Sequence, residues 1–200
     1  MELITKTEIL ESIKSTANNT LFIDPLLDED QVGAVSIDLR LGYDFLVSVL
    51  TRKPVIALDR IDNYSSRGIN TFFQTTRRDL GDKFILYPNQ CVLTTTLEYI
   101  SLPDNCYLDL LSRSSYNRLG IQINTMVQPG FRGCIPVELF NHSNNAVELI
   151  VGSRIFQARI FKLSDSRDYL LEDRQRKYYG NIRPVASMAD SDPDIKKLRS

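Results

Sequence analysis

Short apolar or alternating runs dominate the chain. Each run is about four to ten residues long, and glycine, proline or asparagine turns separate them. Many short strands without intervening helices are typical of a sandwich or a barrel. The sequence therefore predicts an all-β fold. The predicted strands cover residues 35–41, 45–50, 84–87, 91–97, 107–111, 135–140, 147–151 and 154–163.

One stretch before these runs has helical rather than strand periodicity. Thr5 and Glu8 have the spacing of a capping box, and Ile4 and Ile9 have the spacing of a hydrophobic staple. We expect one short N-terminal helix ending near Asn18. Residues 51–83 are polar and arginine-rich, which predicts a long loop without a functional signal.

Composition supports a single domain. A chain of 200 residues with 42% hydrophobic content can bury a sizeable core, so residues 1–190 are predicted to form one domain and residues 191–200 a mobile tail. The formal charge of −1 argues against a general nucleic-acid binder. No apolar run approaches a membrane span, and the start lacks a signal-peptide pattern, so we expect neither a membrane nor a secretory protein.

The three cysteines and the single histidine limit the possible chemistry. Cys91, Cys106 and Cys134 form no closely spaced pair, which is typical of core cysteines in a reducing compartment and predicts a cytoplasmic location. His142 lies in an asparagine-rich turn. Zinc sites of the usual spacing and nucleophile systems that need histidine are thereby excluded, so any catalysis must use carboxylates, arginines and hydroxyls.

Glu138 is the candidate catalytic acid. Ile135, Val137 and Leu139 alternate as a core face, which places Pro136, Glu138 and Phe140 on the opposite face. Desolvation beside Pro136 and Phe140 would raise the pKa of the carboxyl and prepare it to exchange a proton. The alternative is an ordinary solvent-facing strand glutamate, and the arginine and serine segment upstream favours the catalytic interpretation.

That segment has the composition of a phosphate site. Arg113, Ser114, Ser115 and Arg118 follow an apolar strand, and arginine can grip two phosphate oxygens at once. If Ser114 or Ser115 caps a short helix, its free N–H groups would favour a phosphate. Residues 177–181, which contain a lysine and two tyrosines, would suit a flap closing over a nucleotide. A polar surface tail is the alternative for this stretch.

Four motifs together resemble the dCTP deaminase branch of the dUTPase-like superfamily. They are residues 35–42, 94–103, 113–120 and 130–138. The fourth motif begins with Gly-Phe-Arg-Gly-Cys-Ile and ends at Glu138. The resemblance implies a distorted β-barrel or jelly-roll-like fold, a homotrimer with active sites between subunits, and deamination of dCTP to dUTP and ammonia without zinc or another protein-bound metal.

The resemblance also implies roles for individual residues. Glu138 would shuttle protons, with Ser114 and Arg118 holding the attacking water. The remaining positions would contact a deoxycytidine nucleotide that brings its own Mg²⁺. These substrate-binding positions are Arg113, Ser115, Gln128, Pro136, Val137, Tyr169, Lys177 and Asn181.

Two departures from the family pattern keep alternatives open. The segment 121–128 is shorter than usual, and Gln128 stands where the family has an aspartate that contacts the sugar and, in dUTPases, activates water. A bifunctional deaminase or a dUTP diphosphatase that releases pyrophosphate is one alternative. A nucleotide-binding regulator that has lost catalysis is the other.

Overall fold

The computed structural model describes residues 2–52, 55–56, 58, 68–166 and 177–198. Within them the helices are α1 (Lys6–Lys14), α2 (Ser114–Asn117) and α3 (Pro193–Lys197), with 3₁₀ turns at Glu29–Gln31, Ile69–Phe72 and Ala189–Ser191. The strands are β1 (Glu2–Leu3), β2 (Phe22–Asp24), β3 (Ile37–Arg40), β4 (Asp44–Ser48), β5 (Phe73–Arg77), β6 (Lys83–Leu86), β7 (Cys91–Ser101), β8 (Cys106–Ser112), β9 (Ile121–Gln122), β10 (Asn124–Val127), β11 (Arg132–Asn141), β12 (Val147–Ile150) and β13 (Arg154–Lys162).

The strands form three antiparallel sheets. One sheet has the order β1-β13-β8-β10, with β3 also paired to β13. The second has the order β5-β4-β7-β11-β9, with β2 also paired to β7, and β12 pairs with β6 in a third, two-stranded sheet. The all-β prediction is confirmed, whereas the described strands form open sheets and no closed barrel.

The core lies between the inner faces of these sheets. It contains side chains that strand alternation directs inward, including Leu39, Phe45, Leu108, Ile135 and Phe156, all with 0% exposure. Each of the eight predicted runs overlaps a strand of the structure. Alternation was a sufficient signal there because one face of every such strand packs against the core.

Other elements were missed or misplaced. The segment predicted as a long loop contains β5. Within the described part of the chain β5 is a polar edge strand paired with β4 alone, so it carries little apolar periodicity. Positions 53–54, 57 and 59–67 lie outside the described residues. The predicted tail contains α3, preceded by the 3₁₀ turn at Ala189–Ser191.

The predicted start of the N-terminal helix is confirmed by its capping box at Thr5 and Glu8. The Glu8 carboxylate accepts hydrogen bonds from Thr5 N at 2.8 Å and from Thr5 Oγ1 at 2.7 Å. These bonds lower the pKa of Glu8. Ile4 and Ile9 are buried as the staple requires, and the helix ends at Lys14, earlier than expected.

Cys106 and Cys134 are buried and Cys91 is half-buried, all as free thiols. Burial raises the pKa of Cys134 to about 11, which keeps this side chain an uncharged part of the core. None of the helices in the described part of the chain is long and apolar enough to span a membrane.

Candidate active site

Glu138 projects from the outer face of β11. Ile135, Val137 and Leu139 are 0%, 1% and 0% exposed, so the predicted alternation is confirmed, and Glu138 itself is exposed. Within a single chain, the desolvation expected for this carboxyl is therefore absent. Its Oε2 accepts a 3.5 Å hydrogen bond from Thr125 Oγ1 on β10.

Two hollows meet at Glu138. On one side, Leu93, Thr94, Pro136 and Val137 of β7 and β11 form a wall that faces residues of the C-terminal segment. On the other side the hollow lies toward α2. It is lined by Leu111, Ser112, Asn117, Gln122, Ile123, Asn124, Phe140 and His142. A carboxylate at this boundary can reach a ligand in the first hollow and groups approaching through the second.

Residues 177–188, here called the strap, cover the first hollow. Tyr178, Pro184, Val185 and Ser187 supply its outer wall. An adjoining pocket shares Pro136 and Tyr178 and extends the groove. Its other lining residues are Thr125, Met126, Val127, Gln128, Phe131, Lys177 and Tyr179. The flap predicted from residues 177–181 therefore lies against the face of the sheet that carries Glu138.

Backbone hydrogen bonds fix the strap to the start of β11. Gly180 N donates to Arg132 O at 2.8 Å, and Cys134 N donates to Asn181 O at 2.9 Å. Gly133 lies between these bonds with a φ of +142°, and a Cβ there would be 2.6 Å from Asn181 O. The absence of a side chain at Gly133 thus permits the close approach of the strap.

The arginine and serine segment forms α2, with one correction. Arg113, and neither serine, is the N-cap residue, and no side-chain hydrogen bond caps the helix. Ser114 and Ser115 instead occupy the first helical positions, where backbone N–H groups have no intrahelical partner. Both side chains are exposed, as is that of Arg118.

Arg113 is held from two sides. Its Nε lies 3.1 Å from Asp38 Oδ2 on β3, and its Nη1 donates to Arg154 O at 2.9 Å. Sequence reasoning missed Asp38, because the two residues meet only through the pairing of β3, β13 and β8. These contacts restrict the orientation of the Arg113 guanidinium. Among the described residues they involve its Nε and Nη1 atoms, and no contact is seen for Nη2.

The structure does not bring all predicted site residues together in one chain. Among the described residues, no hydrogen bond or ion pair joins Glu138 to Ser114 or Arg118. Lys177 Nζ lies 3.4 Å from Asp192 Oδ2. Tyr169 lies outside the described residues. Pro136, Val137 and Gln128 do line the groove beside Glu138.

Glu98 is a buried carboxyl that sequence reasoning did not single out. It is 0% exposed and accepts hydrogen bonds from Arg40 N at 2.9 Å and from Gln31 Nε2 at 3.1 Å. Burial raises the pKa of Glu98 to about 7, despite these donors. Its sequence signal is a charged residue at an inward position of the strand β7.

Among the described residues, no group of three or more His, Cys, Asp or Glu side chains is placed to hold a metal ion. In the described part of the chain, the polar side chains that line the groove are the Glu138 carboxylate, several hydroxyls, the Gln128 amide and the Lys177 ammonium group. They can hold an anionic ligand and exchange protons with it.

Comparison with known proteins assigns the chain to a family. A family model described as dCTP deaminase-like matches residues 3–163. A dUMP-forming dCTP deaminase of Methanobrevibacter smithii is 33% identical over 182 residues, which cover 88% of this chain and 91% of that protein. A dCTP deaminase of Halorubrum lacusprofundi is 36% identical over 185 residues, covering 90% of this chain and 88% of that protein. The chain therefore belongs to the dCTP deaminase-like family.

A solved structure agrees in fold. The crystal structure of 2'-deoxycytidine 5'-triphosphate deaminase from Agrobacterium tumefaciens matches with a TM-score of 0.58 and 21% sequence identity. The match covers 80% of this chain and 48% of that one, so this chain spans about half the length of that structure's chain.

Proposed function

We propose that the protein catalyses the hydrolytic deamination of dCTP to dUTP and ammonia. Membership of the dCTP deaminase-like family supports this reaction. The observation that carries it is the placement of Glu138. Its carboxylate stands at the rim of a groove whose lining, with an apolar wall and a few polar groups, suits a pyrimidine nucleotide.

Glu138 moves the protons in this proposal. Its carboxylate takes a proton from water, and the resulting hydroxide attacks C4 of cytosine. The same carboxyl gives that proton to N3 of the ring. The hydroxyl proton of the tetrahedral intermediate then passes through Glu138 to the amine, and ammonia leaves as the C4 carbonyl of uracil forms. Water and dCTP are thus converted to dUTP and ammonia without any change in oxidation state.

We further propose that the site is completed in a homotrimer. Ser114 and Arg118 are exposed, and in one chain they make no contact with Glu138. The hollow between Glu138 and the α2 side is open, so a neighbouring subunit's Ser114 and Arg118 could enter it. There they would hold the attacking water and orient the carboxylate. Closure of this hollow would also exclude bulk water from the carboxylate.

The groove offers contacts along the length of a nucleotide. Pro136, Val137 and Gln128 line the groove. In this proposal the Val137 backbone, the Pro136 ring and the Asn181 amide would contact the base, and the Gln128 amide would contact a sugar hydroxyl. Arg113, Ser115 and Lys177 would bind the triphosphate, together with Tyr169 beyond the described part. The substrate enters as its Mg²⁺ complex.

Replacement of the proposed acid tests the reaction. Glu138→Gln should abolish ammonia release from dCTP, by at least about a hundredfold, because the amide cannot take up a proton. Calorimetry should still detect dCTP binding. Glu148→Gln is the matched control, since Glu148 is an exposed strand glutamate on the separate β6 and β12 sheet, paired with Lys83 at 3.1 Å. Near wild-type turnover by Glu138→Gln would reject the assigned role.

The alternative function is that of an enzyme that releases pyrophosphate as well as ammonia from dCTP. Relatives such as that of Methanobrevibacter smithii are named as dUMP-forming, which favours a bifunctional enzyme that also releases pyrophosphate. Gln128 opposes this activity, because an amide cannot serve as a base for water. Chromatography of the products from dCTP and from dUTP decides between dUTP and dUMP. If ammonia is not released from dCTP, the chain is a nucleotide-binding regulator or acts on another nucleotide.

A further inference from the structure

We infer that Asp44 is a positioning residue that holds the strap across the Glu138 groove through Arg183. Because the groove is assigned to the nucleotide by the proposed function, this inference rests on that proposal. Asp44 lies outside the groove and controls the part of the strap around Arg183.

The Asp44 carboxylate is buried between two cations. Its side chain is 8% exposed. Arg183 Nε lies 3.5 Å from Oδ2, and Arg77 Nη1 lies 3.9 Å from Oδ1. Among the described residues Oδ2 accepts no hydrogen bond. A buried carboxylate oxygen without a donor is costly, so the nearby Arg183 is the group that compensates its charge.

Asp44 is connected to both walls of the groove. Its backbone carbonyl accepts a 3.0 Å hydrogen bond from Thr94 Oγ1, and Thr94 lines the wall that β7 provides. Its carboxylate faces Arg183, which directly precedes Pro184 and Val185 in the opposite wall. One residue of β4 thus sets the separation of the two walls.

Among the described residues, positions 182–185 make no backbone hydrogen bond, so the ion pair of Arg183 with Asp44 is the polar contact that holds this part of the strap. The backbone bonds at Gly180 and Asn181 fix the strap before it, and Ala186, 5% exposed, packs into the protein after it. Pro184 and Val185 lie between these points. Without the ion pair, this short span can move away from the sheet and widen the groove.

The pair should affect the groove more than overall stability. The Arg183 side chain is 66% exposed, and ion pairs that water reaches contribute about 0.2 to 1 kcal/mol. That range corresponds to a factor of at most about five in an equilibrium. The expected effect is therefore a modest weakening of nucleotide binding, with little change in the melting temperature.

Arg183→Gln and Arg77→Gln form a matched pair of variants. Each removes one positive charge facing Asp44, but Arg77 belongs to β5 and is held there over the Tyr43 ring at 4.4 Å. Arg183→Gln should raise the KM for dCTP by roughly two- to fivefold with kcat changed by less than about twofold. Arg77→Gln should leave KM unchanged. Asp44→Asn should reproduce the KM increase, and adding it to Arg183→Gln should cause no further increase.

Hydrogen exchange of the nucleotide-free protein separates this inference from the proposed function. The amides of Gly180 and Met188 donate hydrogen bonds to Arg132 O and Tyr178 Oη on either side of Arg183. They should exchange faster in Arg183→Gln than in the wild type or Arg77→Gln, whether or not dCTP is the substrate. Equal exchange in all three proteins, or equal KM changes in the two arginine variants, would overturn the role of Asp44. Absence of ammonia release from dCTP, with exchange still faster in Arg183→Gln, would reject only the proposed reaction.

Discussion

Replacing Gly133 by alanine should detach the strap from β11. The new Cβ would lie 2.6 Å from Asn181 O, 3.4 Å from Asn181 N and 3.3 Å from the Phe131 ring. The closest of these atoms belongs to the backbone, which cannot rotate away as a flexible side chain can. Relief of the clash therefore requires Asn181 to withdraw from the sheet.

The expected cost has two parts. A φ of +142° is a backbone conformation that favours glycine, and alanine there costs roughly 1 to 3 kcal/mol. Withdrawal of Asn181 also breaks the 2.9 Å bond from Cys134 N, which is worth about 1 kcal/mol. The sum is about 3 kcal/mol. At roughly 2 to 4 °C per kcal/mol for a chain of this size, the melting temperature should fall by about 6 to 12 °C.

Gly81→Ala is the control for backbone conformation. Gly81 has a φ of +89°, and nothing lies within 4 Å of the position of its Cβ, so this variant carries the conformational cost without the clash. Thermal unfolding at one fixed protein concentration should show a drop of about 4 to 8 °C for Gly81→Ala, from about 2 kcal/mol of conformational cost alone. In addition, only Gly133→Ala should raise the KM for dCTP, by about tenfold if strap contacts worth 1.4 kcal/mol are lost.

Equal melting temperatures of the two alanine variants, together with an unchanged KM for dCTP, would contradict this prediction. That outcome would mean that the strap tolerates a side chain at position 133 and that its close approach is not a constraint.

Two further predictions concern groups beneath the site. Burial raises the pKa of Glu98 to about 7 from 4.5, so its contribution to stability is complete below about pH 4.5 and is lost as the pH rises through about 7. The free energy of unfolding in urea should therefore rise for Glu98→Gln relative to the wild type, by up to about 3 kcal/mol, as the pH is raised from 4.5 to 7.5. A difference between the two proteins that does not change with pH would contradict the raised pKa of Glu98. Asp38→Asn should raise the KM for dCTP severalfold by freeing Arg113, whereas Asp109→Asn, which loses a 3.8 Å pair with Arg159 in the same sheet, should not. Equal KM values in these two variants would show that Asp38 does not position the guanidinium.

Local patterns predicted most of the strands and the face of Glu138. Strand alternation has a period of two residues, so Ile135, Val137 and Leu139 needed no knowledge of the rest of the chain. The polar edge strands β5 and β10 were not predicted, because their residues lack the alternation of apolar and polar positions. The cap of α2 was assigned to a serine on residue preference, but the chain enters the helix one residue earlier, at Arg113.

Periodicity and side-chain chemistry are local properties, so the all-β class, the N-terminal capping box and the residue types available for chemistry follow from the amino-acid sequence. The partners of those residues come from the fold: Asp38 for Arg113, Asp44 for Arg183, and Asn181 above Gly133. Each of these contacts joins segments far apart in the chain. Strand pairing and packing bring them together, and a pattern read along the sequence carries no record of which strands become neighbours.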